Sequence, residues 1–314
     1  MNTRRAFTLV EILTVIVIIC ILVALAVAAV RGAMDATKRA RISTFMSQIA
    51  MALDRYKAEF GEYPPDMFDG EALVRHVKKR WPRYELPNAA ATVQANFIKN
   101  AINAAYGNGV NFTVADSEVG ALALWIGGFP NVDGRLSGFC ADPEDPFFSK
   151  QLHLPLEDWA FDQKVFVDLE VGDGKSVRFE DFDNGCIVPV IGTEQRDGFV
   201  PIVYFRGLSS GGHRSYMVVD ENHAKYGLIK RFDFVTSGYC VPYAEKADST
   251  SSITWKNPST FQLLHPGLDG KFGVPVPGGA TPLRNIQTGD NIGTLDLDNL
   301  TNFSGYKELK SILP

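Results

Sequence analysis

Residues 4–30 read RRAFTLVEILTVIVIICILVALAVAAV. From Ile12 to Val30 there are nineteen residues, and only Thr14 and Cys20 are not plainly apolar. At 1.5 Å of rise each, such a helix spans about 28 Å, close to the hydrocarbon thickness of a bilayer. Glu11 stands at the leading edge of this run. A carboxylate at the centre of a membrane helix costs roughly 2.5–3.5 kcal/mol, and less near the interface. An ionisable group kept in such a place marks a functional candidate.

The apolar pattern outlasts Val30. Ile42, Phe45, Met46, Ile49, Leu53, Tyr56 and Phe60 follow at spacings of three and four, the stripe of an amphipathic helix. No proline occurs between Met1 and Tyr63, and only Gly32 interrupts. Gly61 stops the helix and Pro64-Pro65 prevent its return. The reading is one helix from about Phe7 to Phe60, on the order of 80 Å long. A secretory signal peptide is the competing reading. MNTRR would be its basic region, with small-residue cleavage sites at Ala24–Ala26 or Ala26–Ala28. The length of the run and its acidic leading edge weigh against that.

RRAFTLVEILTVIVIICILVALAV resembles the class III leader and N-terminal helix of type IV prepilins and type II secretion pseudopilins. ALDRYKAEFGEYPPD, residues 52–66, resembles the end of that helix and the following turn in major pseudopilins. The resemblance implies cleavage between Ala6 and Phe7 by a prepilin peptidase and N-methylation of Phe7. The family usually has Gly where this chain has Ala6, the next smallest residue. Glu11 becomes the fifth residue of the mature chain. In a helical filament it would reach the Phe7 amine of a neighbouring copy. A buried charge pair roughly offsets its desolvation, whereas a misregistered subunit leaves both ions unpaired, so the pair would set axial register. A head-to-tail contact of this kind does not close and builds a filament. Arg31, Lys38, Arg39 and Arg41 follow the span, so the positive-inside count does not give the orientation. The leader resemblance gives a cytoplasmic N-terminus, an inner-membrane single pass and a periplasmic head.

Four segments follow: a leader at 1–6, a transmembrane half-helix at 7–30, an amphipathic half-helix at 31–60 and a head at 61–314. Insertions occupy roughly 85–255. The head reads helix-rich at first. Glu71–Arg80 and Ala91–Tyr106 are helix candidates, and Ser117 is a cap for a third helix running to Trp125. From about residue 160 the period becomes two. Val165–Val171 and Ser176–Glu180 flank Gly172-Asp173-Gly174 as a hairpin. Pro201–Phe205 and Ser215–Val219 flank a second turn, and Phe261–Leu264 is a late strand. The fold class is α+β, a pilin-like long helix packed on an antiparallel sheet.

FQLLHPGLDGKFG at 261–273 and DNIGTLDLDNLTNF at 290–303 resemble the late strand and terminal loop of major pseudopilins, where calcium is bound. Carried over, Asp269 and Asp298 match most closely, with Asp290 and Asp296 next. Clustered carboxylates and Gly turns can supply the several oxygens that calcium takes at about 2.3–2.6 Å. The same residues are also ordinary turn formers.

The net charge of −5 is unevenly spread: residues 1–41 hold six cations and two acids, so residues 42–314 carry −9. An acidic head argues against nucleic acid as a partner. Downstream, Cys140, Cys186 and Cys240 allow one disulfide and a thiol, or three buried thiols. No CxxC is present, which disfavours a zinc knuckle. Gly207–Gly211 matches G-x-S-x-G, but the residues after it read as turn and strand, whereas a nucleophile elbow opens a helix. Gly172–Ser176, GDGKS, lacks the first glycine of a phosphate loop. The five histidines show no metal-ligand spacing. The sequence thus favours a non-enzymatic pseudopilin-like subunit. Its expected partners are copies of itself, a prepilin peptidase, an inner-membrane assembly platform and minor pseudopilins. A type IV pilus or minor pilin subunit is the near alternative, and a signal-anchored enzyme or binding module the distant one.

Overall fold

The computed structural model describes residues 9–106, 121–122, 124–126, 128–129, 139–140, 142–147, 169–172, 176–179, 202–208, 215–216, 230, 232–234, 238–249, 252–273 and 283–314. It divides into two compact units, one up to Ile42 and one from Ser43 onward. Helix α1 covers Leu9–Phe60, 52 residues in one element. In the first unit every Leu, Ile and Val from Leu9 to Val30 is exposed. Among the described residues α1 is the one helix long and apolar enough to cross a membrane.

In the second unit, α1 shows the predicted stripe. Phe45, Met46, Ile49, Leu53 and Tyr56 are buried. The helix ends where the sequence says it must. Gly61 adopts φ +77°, and its N–H bonds to Lys57 O at 2.7 Å, a left-handed cap that only glycine takes cheaply. Helix α2, Gly70–Arg80, starts at Asp69, whose Oδ1 accepts the Ala72 N–H at 3.0 Å. Glu71 in its first turn and Lys78, Lys79 and Arg80 in its last suit the helix dipole. Helix α3 covers Ala91–Tyr106 and buries Ala95, Ile98, Ile102 and Ala105, at spacings of three, four and three. The third predicted helix is present at 121–122 and 124–126, while its Ser117 cap lies outside the described residues.

Strands β1, Leu169–Gly172, and β2, Ser176–Phe179, pair antiparallel with Gly172 opposite Ser176, the predicted hairpin. Strand β3, Val203–Arg206, pairs antiparallel with β8, Phe261–His265, and β8 with β10, Leu300–Thr301. Strands β4, Phe232–Phe234, and β5, Gly238–Cys240, form a hairpin. Strand β6, Tyr243–Ser249, pairs antiparallel with β7, Ser252–Trp255, and parallel with the two-residue β9, Arg284–Asn285. One expectation fails: Ser215 and Tyr216 form a turn, and β3 takes β8 as its partner. Residues 217–219 lie outside the described residues.

Among the described residues, two apolar clusters hold the second unit. One joins Tyr56 of α1, Leu73 and Val77 of α2, Ile98 and Ile102 of α3, and Trp81, Trp125, Phe129, Phe139 and Phe147. The other joins Val203, Phe205, Tyr216, Tyr243, Trp255, Leu264, Phe272 and Leu309. Trp81 and Trp125 both lie in the first. Cys140 and Cys240 are buried, Cys240 as a thiol, and Cys186 lies outside the described residues.

Candidate functional site

Glu11 lies on α1, one position before the apolar run begins at Ile12. Its neighbour Thr14 spends its hydroxyl inside the helix, donating to Val10 O and Glu11 O, each at 3.0 Å. The hydroxyl therefore adds little polarity to the apolar surface. Glu11 is the charged position in the run from Leu9 to Val30, whose Leu, Ile and Val side chains are exposed. Ala6 and Phe7, the expected cleavage and methylation positions, lie outside the described residues.

The second candidate region is the turn after β8. Asp298 Oδ2 accepts the N–H of Leu268 at 2.9 Å and of Asp269 at 3.3 Å. Asp269 Oδ1 accepts the Lys271 N–H at 2.8 Å. Gly267 makes this approach possible. It has φ +70°, and a Cβ there would lie 2.2 Å from Asp298 Oδ2. Burial, together with the charge of Asp298, raises the proton affinity of Asp269 against the opposing pull of Lys271. Two carboxylates are thus brought together across 29 residues of chain.

Asp290 and Asp296 are placed elsewhere. Asp290 accepts the Thr288 hydroxyl on an exposed turn. Asp296 is buried and paired with Arg284 Nη2 at 2.8 Å. Its Oδ2 also accepts the Gly293 N–H at 3.0 Å, and its Oδ1 an N–H of the Asn299 amide at 3.2 Å. Among the described residues no group of three or more His, Cys, Asp or Glu side chains is gathered for a metal. Asp269 and Asp298 supply two carboxylates, whose Oδ1 and Oδ2 atoms named above already accept backbone N–H groups. Backbone carbonyls would have to complete the six to eight oxygens that calcium takes.

A buried polar hub was not foreseen. Glu62, just past α1, meets His76 Nδ1 at 3.1 Å and Arg206 Nη2 at 2.8 Å. His76 Nε2 lies 2.6 Å from the Tyr56 hydroxyl, which also accepts from Arg80 Nη1 at 2.9 Å. Asp66 Oδ2 accepts the Arg206 N–H at 2.9 Å and Lys230 Nζ at 2.6 Å. Lys230 further donates to Arg206 O at 2.9 Å. Residues 62–66 therefore hold α2, β3 and Lys230 through charge. Burial alone would raise the Glu62 carboxyl, but the His76 hydrogen bond and the Arg206 guanidinium hold it down at about 2. Burial lowers the proton affinity of His76 despite Glu62. Tyr56 and His76 of this row are buried, and its bonds tie the end of α1 to α2 and β3.

The other sequence motifs resolve simply. Gly207 continues from β3 by donating its N–H to Thr260 O at 2.8 Å. The described part of Gly207–Gly211 is not helical, and Ser209 lies outside the described residues. Gly172 and Ser176 of GDGKS belong to the β1–β2 hairpin.

Against known families, the prokaryotic N-terminal methylation motif matches residues 1–27. This motif marks a type IV pilin-like precursor, processed by prepilin peptidase. No curated protein and no solved structure matches the chain. The motif covers the basic leader, Ala6, Phe7, Glu11 and most of the apolar run. The matched residues run into the N-terminal, apolar part of α1, the part suited to anchor the chain in a membrane.

Proposed function

We propose that the processed chain is a structural subunit of a type II secretion pseudopilus, a short filament that drives protein export. The observation that carries this reading is Glu11 at the leading edge of a helix whose Leu, Ile and Val side chains are all exposed from Leu9 to Val30. Such a surface belongs first in lipid and then against other copies of the same helix. Cleavage between Ala6 and Phe7 creates an amine four residues before Glu11, and that amine neutralises Glu11 of an adjacent copy. The precursor is a single-pass inner-membrane protein with its N-terminus in the cytoplasm and its head in the periplasm. Its partners are prepilin peptidase, an inner-membrane assembly platform, minor pseudopilins and other copies of itself. The resemblance of residues 52–66 to major pseudopilins favours the pseudopilus over a type IV pilus. A calcium ion at Asp269 and Asp298 stabilises the terminal turns in this proposal, with Asp290 outside the site.

Mass spectrometry of the N-terminal peptide of protein purified from its native envelope tests the reading. The expected peptide begins at N-methylated Phe7. A chain that keeps Met1, or one cut after Ala26 or Ala28, would replace the filament subunit with a signal-anchored or secreted domain.

A further inference from the structure

The part of α1 that follows the apolar run is strongly basic. Residues 31–41, RGAMDATKRAR, hold Arg31, Lys38, Arg39 and Arg41 against one acid, Asp35, a net of +3. The rest of the chain, residues 42–314, carries −9. Arg31 comes directly after Val30, the last residue of the apolar run. Arg31, Asp35 and Arg41 are exposed, and Lys38 is half-buried. Among the described residues, Arg31, Lys38 and Arg41 take no hydrogen-bond or ion-pair partner. Asp35 leaves them so, although it stands four residues from Arg31 and three from Lys38, spacings at which helical charges meet. Three cations are thus free at the end of a span that is apolar enough to lie in lipid.

We propose that residues 31–41 form a collar that binds the headgroups of anionic phospholipids and fixes the depth at which α1 sits in the membrane. Continuity with the apolar run selects this occupant. With the run in the hydrocarbon, Arg31 falls about 1.5 Å past its edge and Arg41 about 17 Å past it along the helix axis. The headgroup layer is roughly 5–8 Å deep, and a charged surface acts for a further 8–10 Å or so. All four cations therefore lie within reach of one membrane surface, and their long side chains can bend back toward it. Anionic lipid attracts basic segments placed in this way. Charge points to the same occupant. An anionic surface repels a head of −9 tethered beside it, and a cationic stretch between the two offsets that repulsion. The binding needs neither cleavage nor a filament, so it stands apart from the reading of Phe7 and Glu11.

The test uses the full chain reconstituted in phosphatidylcholine vesicles that hold a trace of spin-labelled lipid. Electron paramagnetic resonance reads the share of label held immobile against the protein. Labelled phosphatidylglycerol is expected to associate about fivefold more strongly than labelled phosphatidylcholine, the scale of one well-placed cation at a membrane surface. Replacing Arg31, Lys38 and Arg41 together by Gln is expected to bring the two lipids to parity. Arg31→Lys with Arg41→Lys keeps the charge and is expected to keep the preference. Arg4→Gln with Arg5→Gln is also expected to keep it, because those cations precede the span. Equal association of the two labels with the parent chain would overturn the proposal. So would a preference that survives the Gln variant, or one that is lost in the Lys variant or with Arg4 and Arg5. Salt-sensitive crosslinking between chains, without lipid preference, would instead give the collar to carboxylates of another copy. The N-terminal peptide of the native protein is read independently, so a failure here is distinguishable from a failure of the filament reading.

Discussion

Glu62 shows how one residue, apparently just another surface acid in the sequence, becomes a fixed point of the fold. It is the shared partner of His76 and Arg206, which come from α2 and β3. Its carboxyl sits at about 2 in the folded chain against an ordinary value of 4.5. A depressed carboxyl contributes stability that is complete above 4.5 and drains away as pH falls toward 2. His76 acts in the same direction. Burial holds its imidazole below the ordinary 6.5, so the folded state increasingly resists protonation as pH drops below that value. Melting temperature is therefore expected to decline from about pH 6.5 downward, and to decline further below pH 4.5. Glu62→Gln is expected to lower stability at neutral pH by about 1–3 kcal/mol, because Arg206 loses its carboxylate partner. The same variant is expected to flatten the profile between pH 4.5 and 2. Thermal melts across that range check both. A variant whose acid slope matches the parent's would assign the acid sensitivity to other groups.

At the scale of elements, the turn that follows β8 is held by a residue near β10. Asp298 ties down the N–H groups of Leu268 and Asp269, and Gly267 leaves the room. Asp298→Ala is expected to cost about 1–3 kcal/mol by leaving those donors without their acceptor. If calcium also sits here, its addition raises the melting temperature of the parent chain and chelation lowers it, while Asp298→Ala responds to neither. A parent melting curve indifferent to calcium and chelator removes the ion and leaves Asp298 as a turn anchor. Elements of this kind differ in how far the sequence reveals them. Periodicity and local stop signals predicted α1, α2 and α3, the β1–β2 hairpin and β8, because spacing, Gly61 and Gly172 act within a few residues of where they stand; the Asp69 cap of α2 is not part of that reading. Pairing across distance left no such signal. Strand β3 finds β8 more than fifty residues on, and the expected partner at Ser215–Val219 begins as a turn. Asp66 and Lys230 are 164 residues apart, and Glu62 and Arg206 are 144 apart. Each reads as an ordinary solvated charge until the fold removes it from water. The Arg284–Asp296 pair likewise took Asp296 out of the candidate cation ligands, a distinction that Asp spacing alone cannot make.

For the whole molecule, the chain joins a lipid-compatible unit to a folded one through a single helix. The filament reading makes Glu11 dispensable for insertion and necessary for assembly. Glu11→Ala is expected to leave the precursor in the membrane fraction, cleaved at Phe7, and to abolish filaments seen by electron microscopy of overproducing cells. Normal filaments from that variant would contradict the role of charge in register, even if the Phe7 terminus stands. The polar hub bears on a different question. Glu62, His76, Asp66, Arg206 and Lys230 all come from Ser43 onward, and none belongs to the stretch ending at Ile42. Natural variation can therefore rewrite the greasy segment for a thicker or thinner bilayer without loosening the head. The two parts are free to drift at separate tempos, each answering to its own solvent.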